Sequence, residues 1–488
     1  MAKGYNVLFV TSEVFPYSKT GGLADVSNSL PQALNSLGNE VRIVSPKYGQ
    51  LDERRLQIHE IKRLKDLNMK MNSTESKFSI KSSFIHGKNT KAQIYLLENL
   101  DFFKNKGIYQ NIKTKQDFNN NDERYLFFCK AVLEILEILQ WKPDVIHCND
   151  WQTGLIPAFI KTVYKDHPYI RDIKTVFTIH NLAYQGNFPK TSFDKTGLPP
   201  EVFEAANHHG KFSYMKAALA YADKITTVSE KYAEEIRTDK EYSCGLEDVL
   251  DKRKKDLSGI LNGIDYSIWN PEVDKQIDYR YTSQEIPLKW ENKRELLSQF
   301  KIEYNEEIPL IGVISRLVDQ KGFDLIEEIL PSLMKENVHM IILGQGDEKY
   351  QKFLKSVEKK YKDKLAVIIG FDEVLAHKIE AGADMFLMPS KYEPCGLNQM
   401  YSLRYGTVPI VRNTGGLADT ITDYKKPGGN GFLFNKYNSK EFLEVIKTAL
   451  KMYSDKDKWN KILRSGMALD FSWKVSAKKY TALYKSLV

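Results

Sequence analysis

The chain has 488 residues, 42% hydrophobic and 27% charged, enough to bury two or three cores without disulfides. Its net charge of +8 comes with no arginine-rich tract and no aromatic-interleaved basic motif, which excludes the usual nucleic-acid signatures. Four scattered cysteines (Cys129, Cys148, Cys244, Cys395) argue against structural zinc and a disulfide framework, and no apolar run approaches the roughly 20 residues of a spanning helix, so a cytoplasmic protein is expected.

After Met1-Ala2-Lys3-Gly4 comes the run Val7-Leu8-Phe9-Val10, too short for a signal-peptide core. It opens a βαβ unit: strand "YNVLFVTSE", loop "VFPYSKTGG", amphipathic helix "LADVSNSLPQALNSLG", strand "EVRIVSP". Short alternating runs within 53–95 ("KFSIKSSFIHG", "AQIYLL") predict antiparallel strands added at a sheet edge. "DVIHCNDW", "IKTVFTIHN" and "KITTVSEKYAEEI" continue the strand-to-polar-loop pattern. It restarts after "GILNGIDYSIWNP" with "IPLIGVISR", "VHMIILGQGD", "KLAVIIGFD", "ADMFLMPS" and "TVPIVRN", apolar runs that suit strands covered on both faces. The fold class is therefore α/β, with two doubly wound domains. Residues 1–260 form the first, 261–470 the second, and 471–488 a helix crossing back to the first. Ligands bind beyond the carboxyl ends of such strands, so both sets of ends are expected to face one interdomain cleft.

The hexamer Thr-Gly-Gly-Leu-Ala-Asp occurs twice, at 20–25 and at 414–419, each time between a strand and a helix. Paired glycines there let backbone N–H groups approach a phosphate, and Lys19 adds a full charge; a plain tight turn is the alternative. Arg316 and Lys321 leave a strand five residues apart, a spacing that suits a diphosphate whose charge grows in the transition state, or else a surface pair bonded to Asp319 and Asp324. Glu393 and Cys395 share a Pro/Gly turn before a helix. The carboxylate can accept sugar hydroxyls or cap that helix, and the thiol has no histidine nearby in sequence to activate it. Asp150 beside Trp151, and His180 with Asn181 and Tyr184, offer an aromatic face and polar groups for a sugar. Asn262 lies between glycines at the junction of the halves, where a turn role is equally open.

Taken together, "SKTGGLADV", "HCNDWQTG", "TIHNLAYQG", "GILNGIDYSIWNP", "ISRLVDQKG", "SKYEPCGLNQM" and "NTGGLADT" make the chain resemble bacterial glycogen synthases and starch synthases, glycosyltransferase family 5, from end to end. The resemblance implies a GT-B fold and transfer of glucose from ADP-glucose to the non-reducing-end 4-hydroxyl of an α-1,4-glucan, with retention and without metal or cofactor. It implies a catalytic set of Arg316 and Lys321 on the diphosphate, with Glu393 and His180 around the glucosyl unit beside Asn262. Lys19, with Gly21 and Gly22, would lie where donor and acceptor meet, and Asp25 and Asp150 near the sugar or the acceptor. Cys395, Gly396, Leu397, Thr414, Gly415 and Gly416 would line the donor side. Many retaining GT-B enzymes carry a second glutamate eight residues after the first; here that position is Tyr401, as in family 5, which leaves the ribose contacts unassigned. Partners are then a nucleotide sugar and a glucan, with no nucleic acid or membrane. A UDP-glucose transferase with a small acceptor, a UDP-sugar 2-epimerase and a non-catalytic glucan-binding protein are the competing readings.

Overall fold

The computed structural model describes residues 4–49, 51–71, 74–87 and 90–488; Met1–Lys3 of the N-terminal reading lie outside them. The chain divides into two compact units. The first comprises the residues up to Val228, Ala233–Gly263 and Trp473–Val488; the second comprises Ser229–Tyr232 and Ile264–Ser472.

The first unit carries β1 (Asn6–Val10), β2 (Glu40–Pro46), β3 (His59–Glu60), β4 (Leu67–Met71), β5 (Thr74–His86) and β6 (Lys91–Glu98). It continues with β7 (Val145–Asn149), β8 (Lys174–Ile179), β9 (Asn187–Phe188), β10 (Asn207–His208), β11 (Lys211–Ser213), β12 (Lys224–Thr227) and β13 (Leu257–Gly259). Its main sheet runs β13-β12-β8-β7-β1-β2-β6-β5-β3, and the seven strands from β13 to β6 are parallel. From β1 the chain builds outward through β2 and β6, then reverses and builds the other way from β7. The carboxyl ends of β1 and β7 therefore flank a topological switch point, where open α/β sheets bind ligands.

The expected antiparallel edge is present in β3, β4 and β5. β6, the "AQIYLL" run, differs: it pairs antiparallel with β5 but parallel with β2, so it belongs to the wound sheet as much as to its edge. The separate small sheet β10-β11-β9 was not foreseen, because two- and three-residue strands leave no alternation to read. The helix Gly22–Ser36 forms because Leu23, Val26, Leu30 and Leu34 repeat at three- and four-residue spacing and bury one face. Against it packs the helix Trp473–Lys485, whose Tyr480 and Tyr484 enter the same core. The Tyr484 hydroxyl lies 2.7 Å from Nδ1 of the buried His147 on β7.

The second unit holds β14 (Leu310–Ile314), β15 (His339–Gly344), β16 (Leu365–Ile369), β17 (Met385–Met388), β18 (Val408–Arg412) and β19 (Phe432–Phe434). All pair in parallel, in the order β16-β15-β14-β17-β18-β19, so this unit switches between β14 and β17. Its strands are buried on both faces, as their continuous apolar runs required. No helix among the described residues is long and apolar enough to cross a membrane.

Candidate active site

In the first unit the loop after β1 carries Lys19, Gly21, Gly22 and Asp25. It is tied down by Glu13, which is only 3% exposed. The Glu13 carboxylate accepts the Thr20 hydroxyl at 2.6 Å, the Gly21 N–H at 3.2 Å, the Tyr109 hydroxyl at 2.6 Å, and also the Thr20 N–H. Two loop N–H groups that sequence reasoning offered to a phosphate are thus already engaged by a carboxylate. What the loop presents outward is Lys19, paired with Asp25 at 2.7 Å and lying over the Phe15 ring.

Beyond β7, Asp150 adopts φ 56° and ψ 177°, a backbone region that costs a residue with a side chain about 1–3 kcal/mol. The fold holds it there through bonds on both sides. The Asp150 N–H reaches the Thr178 carbonyl at 3.0 Å, and its carboxylate accepts the His180 N–H at 2.7 Å. Burial pushes this carboxyl up to about 7, opposed by the backbone N–H groups of His180 and Asn181. The His180 Nε2 lies 2.9 Å from the Asn149 side-chain oxygen, and burial brings its pKa down to about 3, so the ring is neutral. Asn181 turns its side chain back to the Ala183 N–H, while Tyr184 is exposed. Asn262, just after β13, is buried with an Oδ1 that makes no hydrogen bond among the described residues.

In the second unit, three strand ends converge at the switch point. Lys321, from the loop after β14, places Nζ 2.5 Å from the carboxylate of Glu393, which follows β17 and is 5% exposed. Ser390 donates to the same oxygen at 3.0 Å. Asp319 bonds instead to Lys349 and Tyr350, and Asp324 to Tyr437, which removes the surface-pair alternative for Lys321. The exposed Arg316 is steadied by Gln320 at 2.9 Å. Glu393 does not cap the helix Asn398–Tyr405, which has no side-chain cap, so that alternative falls as well. From β18 comes the second glycine loop: the Gly416 N–H donates to the Glu393 carbonyl at 3.1 Å, and Thr414 is buried. Cys395 is buried in the same turn, with Gly396 and Leu397 leading into the helix.

These two switch-point clusters lie in a chain whose residues 6–252 match the family model of the starch synthase catalytic domain, and whose residues 296–465 match that of group 1 glycosyl transferases. The glycogen synthase of Moorella thermoacetica is 45% identical over 490 residues, covering 99% of this chain and 97% of its own. That of Thermotoga maritima is 43% identical over 486 residues, covering 98% of each. The catalytic domain of starch synthase IV from Arabidopsis thaliana, solved bound to ADP and acarbose, superposes with a TM-score of 0.89 at 30% identity over 99% of both chains. The chain belongs to the glycogen synthase and starch synthase family. Its fold is accordingly of the GT-B type, built from the two wound units above.

Seen as a member of that family, the chain requires one revision and shows two groups that the sequence did not disclose. Trp151 was expected to offer an aromatic face to a sugar. It is 8% exposed and packs edge-on among Tyr125, Phe188 and Tyr214, so it belongs to the core beneath Asp150. Adjacency to a carboxylate misled, because successive residues after a strand end turn opposite ways. Tyr401, at the position of the missing second glutamate, stacks on Trp269 with ring centroids 4.0 Å apart. Glu13 and Tyr109 went unnoticed because 96 residues separate them. Phe371 also escaped notice. It follows the carboxyl end of β16 and is 85% exposed, a property of the fold that no sequence signal carries.

Proposed function

We infer that the chain elongates α-1,4-glucan as a retaining glucosyltransferase, moving glucose from ADP-glucose to the non-reducing-end 4-hydroxyl and releasing ADP. The observation that carries this is the second-unit cluster: a lysine–glutamate pair at 2.5 Å, an exposed arginine held by Gln320, and a glycine loop, all at the carboxyl ends of one sheet. Arg316 and Lys321 take the diphosphate, and Glu393 is released to the sugar as phosphate oxygens replace it on Lys321. The open ring of Phe371 gives the base a stacking face at the end of the same sheet. Thr414–Gly416 and Cys395–Leu397 line this donor side. In the first unit, Lys19, Asp25, Asp150, Asn181, Tyr184, Asn262 and His180 serve the glucosyl unit and the glucan. The unpaired oxygen of Asn262 is an acceptor waiting for a hydroxyl.

In the chemical step the anomeric C–O bond breaks and its electron pair goes to the diphosphate. The acceptor hydroxyl forms the new bond on the same face, and its proton passes to the departing phosphate oxygen. No glycosidase-like pair of carboxylates flanking the bond is required. The cations stabilise charge that grows as the bond breaks, so their effect falls on kcat. A reducing, cytoplasmic setting is the reading that the scatter of the four cysteines along the sequence supports.

The test is incubation with ADP- or UDP-[¹⁴C]glucose and glycogen. Acceptor-dependent, α-amylase-sensitive label from the ADP donor is expected. Label from UDP-glucose alone, or nucleotide-sugar turnover that ignores the glucan, would overturn the reading.

A further inference from the structure

Asn149, the last residue of β7, is a polar side chain to which the transfer chemistry assigns no task. It is 1% exposed and stands directly before the strained Asp150. Its amide nitrogen donates to two backbone carbonyls, Val10 at 3.0 Å and His147 at 3.3 Å. Carbonyls only accept, so the amide cannot be reversed and its oxygen must face His180. That oxygen lies 2.9 Å from the His180 Nε2. An amide oxygen also only accepts, which requires the ring hydrogen to sit on Nε2. Nδ1 makes no hydrogen bond to any described residue; the other bond of His180 is its N–H to Asp150.

We propose that Asn149 locks His180 in the tautomer with its hydrogen on Nε2, leaving Nδ1 a bare acceptor for a hydroxyl of the transferred glucose. Asn149 is thus a positioning residue, and the proposal rests on the reading above that places His180 at the glucosyl unit. A neutral amide is what the position requires. A carboxylate there would draw a second proton onto the ring and turn Nδ1 from acceptor into donor. The titratable groups around the ring leave this arrangement undisturbed. His147 of β7 is itself neutral, its pKa brought down to about 3 by burial, and it is bonded to Thr178 and Tyr484. The Asp150 carboxyl is occupied by backbone N–H groups, and Glu13, beyond β1, acts on Asp150. Burial is what keeps His180 itself neutral.

Two measurements test this. In ¹⁵N-histidine-labelled wild type, a long-range ¹H–¹⁵N spectrum, with His180 assigned by its loss in His180→Gln, should show the Nε2–H pattern unchanged from pH 6 to 8. An Nδ1–H pattern or a mixture overturns the lock. In Asn149→Asp, kcat at saturating ADP-glucose should fall about tenfold or more at pH 6 and recover to within about threefold of wild type at pH 9. A loss of equal size at every pH, or none, overturns the positioning role. The spectrum needs no substrate, so it stands even if the donor proves to be another nucleotide sugar, in which case the kinetic arm is run with that donor. If Asn149→Asp does not fold, the wild-type spectrum alone decides.

Discussion

One hexamer, Thr-Gly-Gly-Leu-Ala-Asp, occupies two places in this chain under opposite constraints. In the first copy Gly21 is extended at φ −153°, Gly21 and Gly22 are exposed, and a methyl added to either would meet nothing within 4 Å. In the second copy Gly415 has φ +45° and both glycines are buried. A methyl on Gly415 would fall 1.9 Å from the Glu393 carbonyl oxygen, and one on Gly416 would fall 2.0 Å from that of Cys395. The helix also begins one position earlier in the second copy, with Thr414 at the N-cap position that Gly21 holds in the first. The closing aspartates diverge too. Asp25 pairs with the exposed Lys19, whereas Asp419 accepts the Lys231 N–H at 3.0 Å. Identical residues thus do different work. The second loop is packed against the turn that carries Glu393, and the first is an open loop held from below by Glu13.

The sharpest way to break this contrast is through the two lysines. Lys321→Ala should lower kcat by about 10²–10³ with little change in donor KM. It should also cost about 3 kcal/mol of stability, because it strands the buried Glu393 carboxylate. Lys19→Ala should lower activity yet cost no more than about 1 kcal/mol, since an exposed pair contributes little. Equal losses on thermal melting would erase the distinction. Next comes Gly416→Ala, expected to destabilise by about 1–3 kcal/mol in urea titration, because the nearest atoms are backbone and cannot yield cheaply.

Glu13→Gln swaps a charged acceptor for an amide whose NH2 must face the Thr20 and Tyr109 hydroxyls, so that the bonds these donate are lost and must reverse. About 1–2 kcal/mol should be lost, with faster tryptic cleavage after Lys19. Asp150 differs from Glu393 in having N–H donors but no cation. Its raised pKa means that the fold keeps a proton the unfolded chain has released, so its share of stability is present at low pH and lost as pH rises toward 7. The Tm of Asp150→Asn relative to wild type should therefore climb by a few degrees between pH 5 and 8; a flat difference would sink the assignment. The smallest effect belongs to Gly22→Ala, within about 0.5 kcal/mol in stability. Any loss of activity there would report contact with substrate rather than damage to the loop.

The wound sheets were legible because both-face burial writes itself as continuous apolar runs, and polar residues just past β1, β7, β8, β14, β17 and β18 marked the carboxyl ends of the strands. The local reading failed where a role depends on a distant partner. Nothing around Glu13 announces that Tyr109 and the Thr20 loop will converge on it, and nothing in "HCNDW" shows Asp150 in a left-handed conformation or Trp151 turned inward. The twin hexamers look alike in sequence, since their contrasting environments come from the Glu393–Cys395 turn beneath one copy and the Glu13 carboxylate beneath the other.

The bond from Tyr484 to His147 spans 337 residues, yet it closes the core under the strand that delivers Asn149 and Asp150. A nascent chain reaches that bond late. At about 5–20 residues per second, roughly 17–70 s separate emergence of the imidazole from arrival of its phenol. Throughout that interval the apolar floor of the first unit awaits its last helix. Synthesis thus leaves an early-made core open to holdase chaperones until the helix Trp473–Lys485 has emerged.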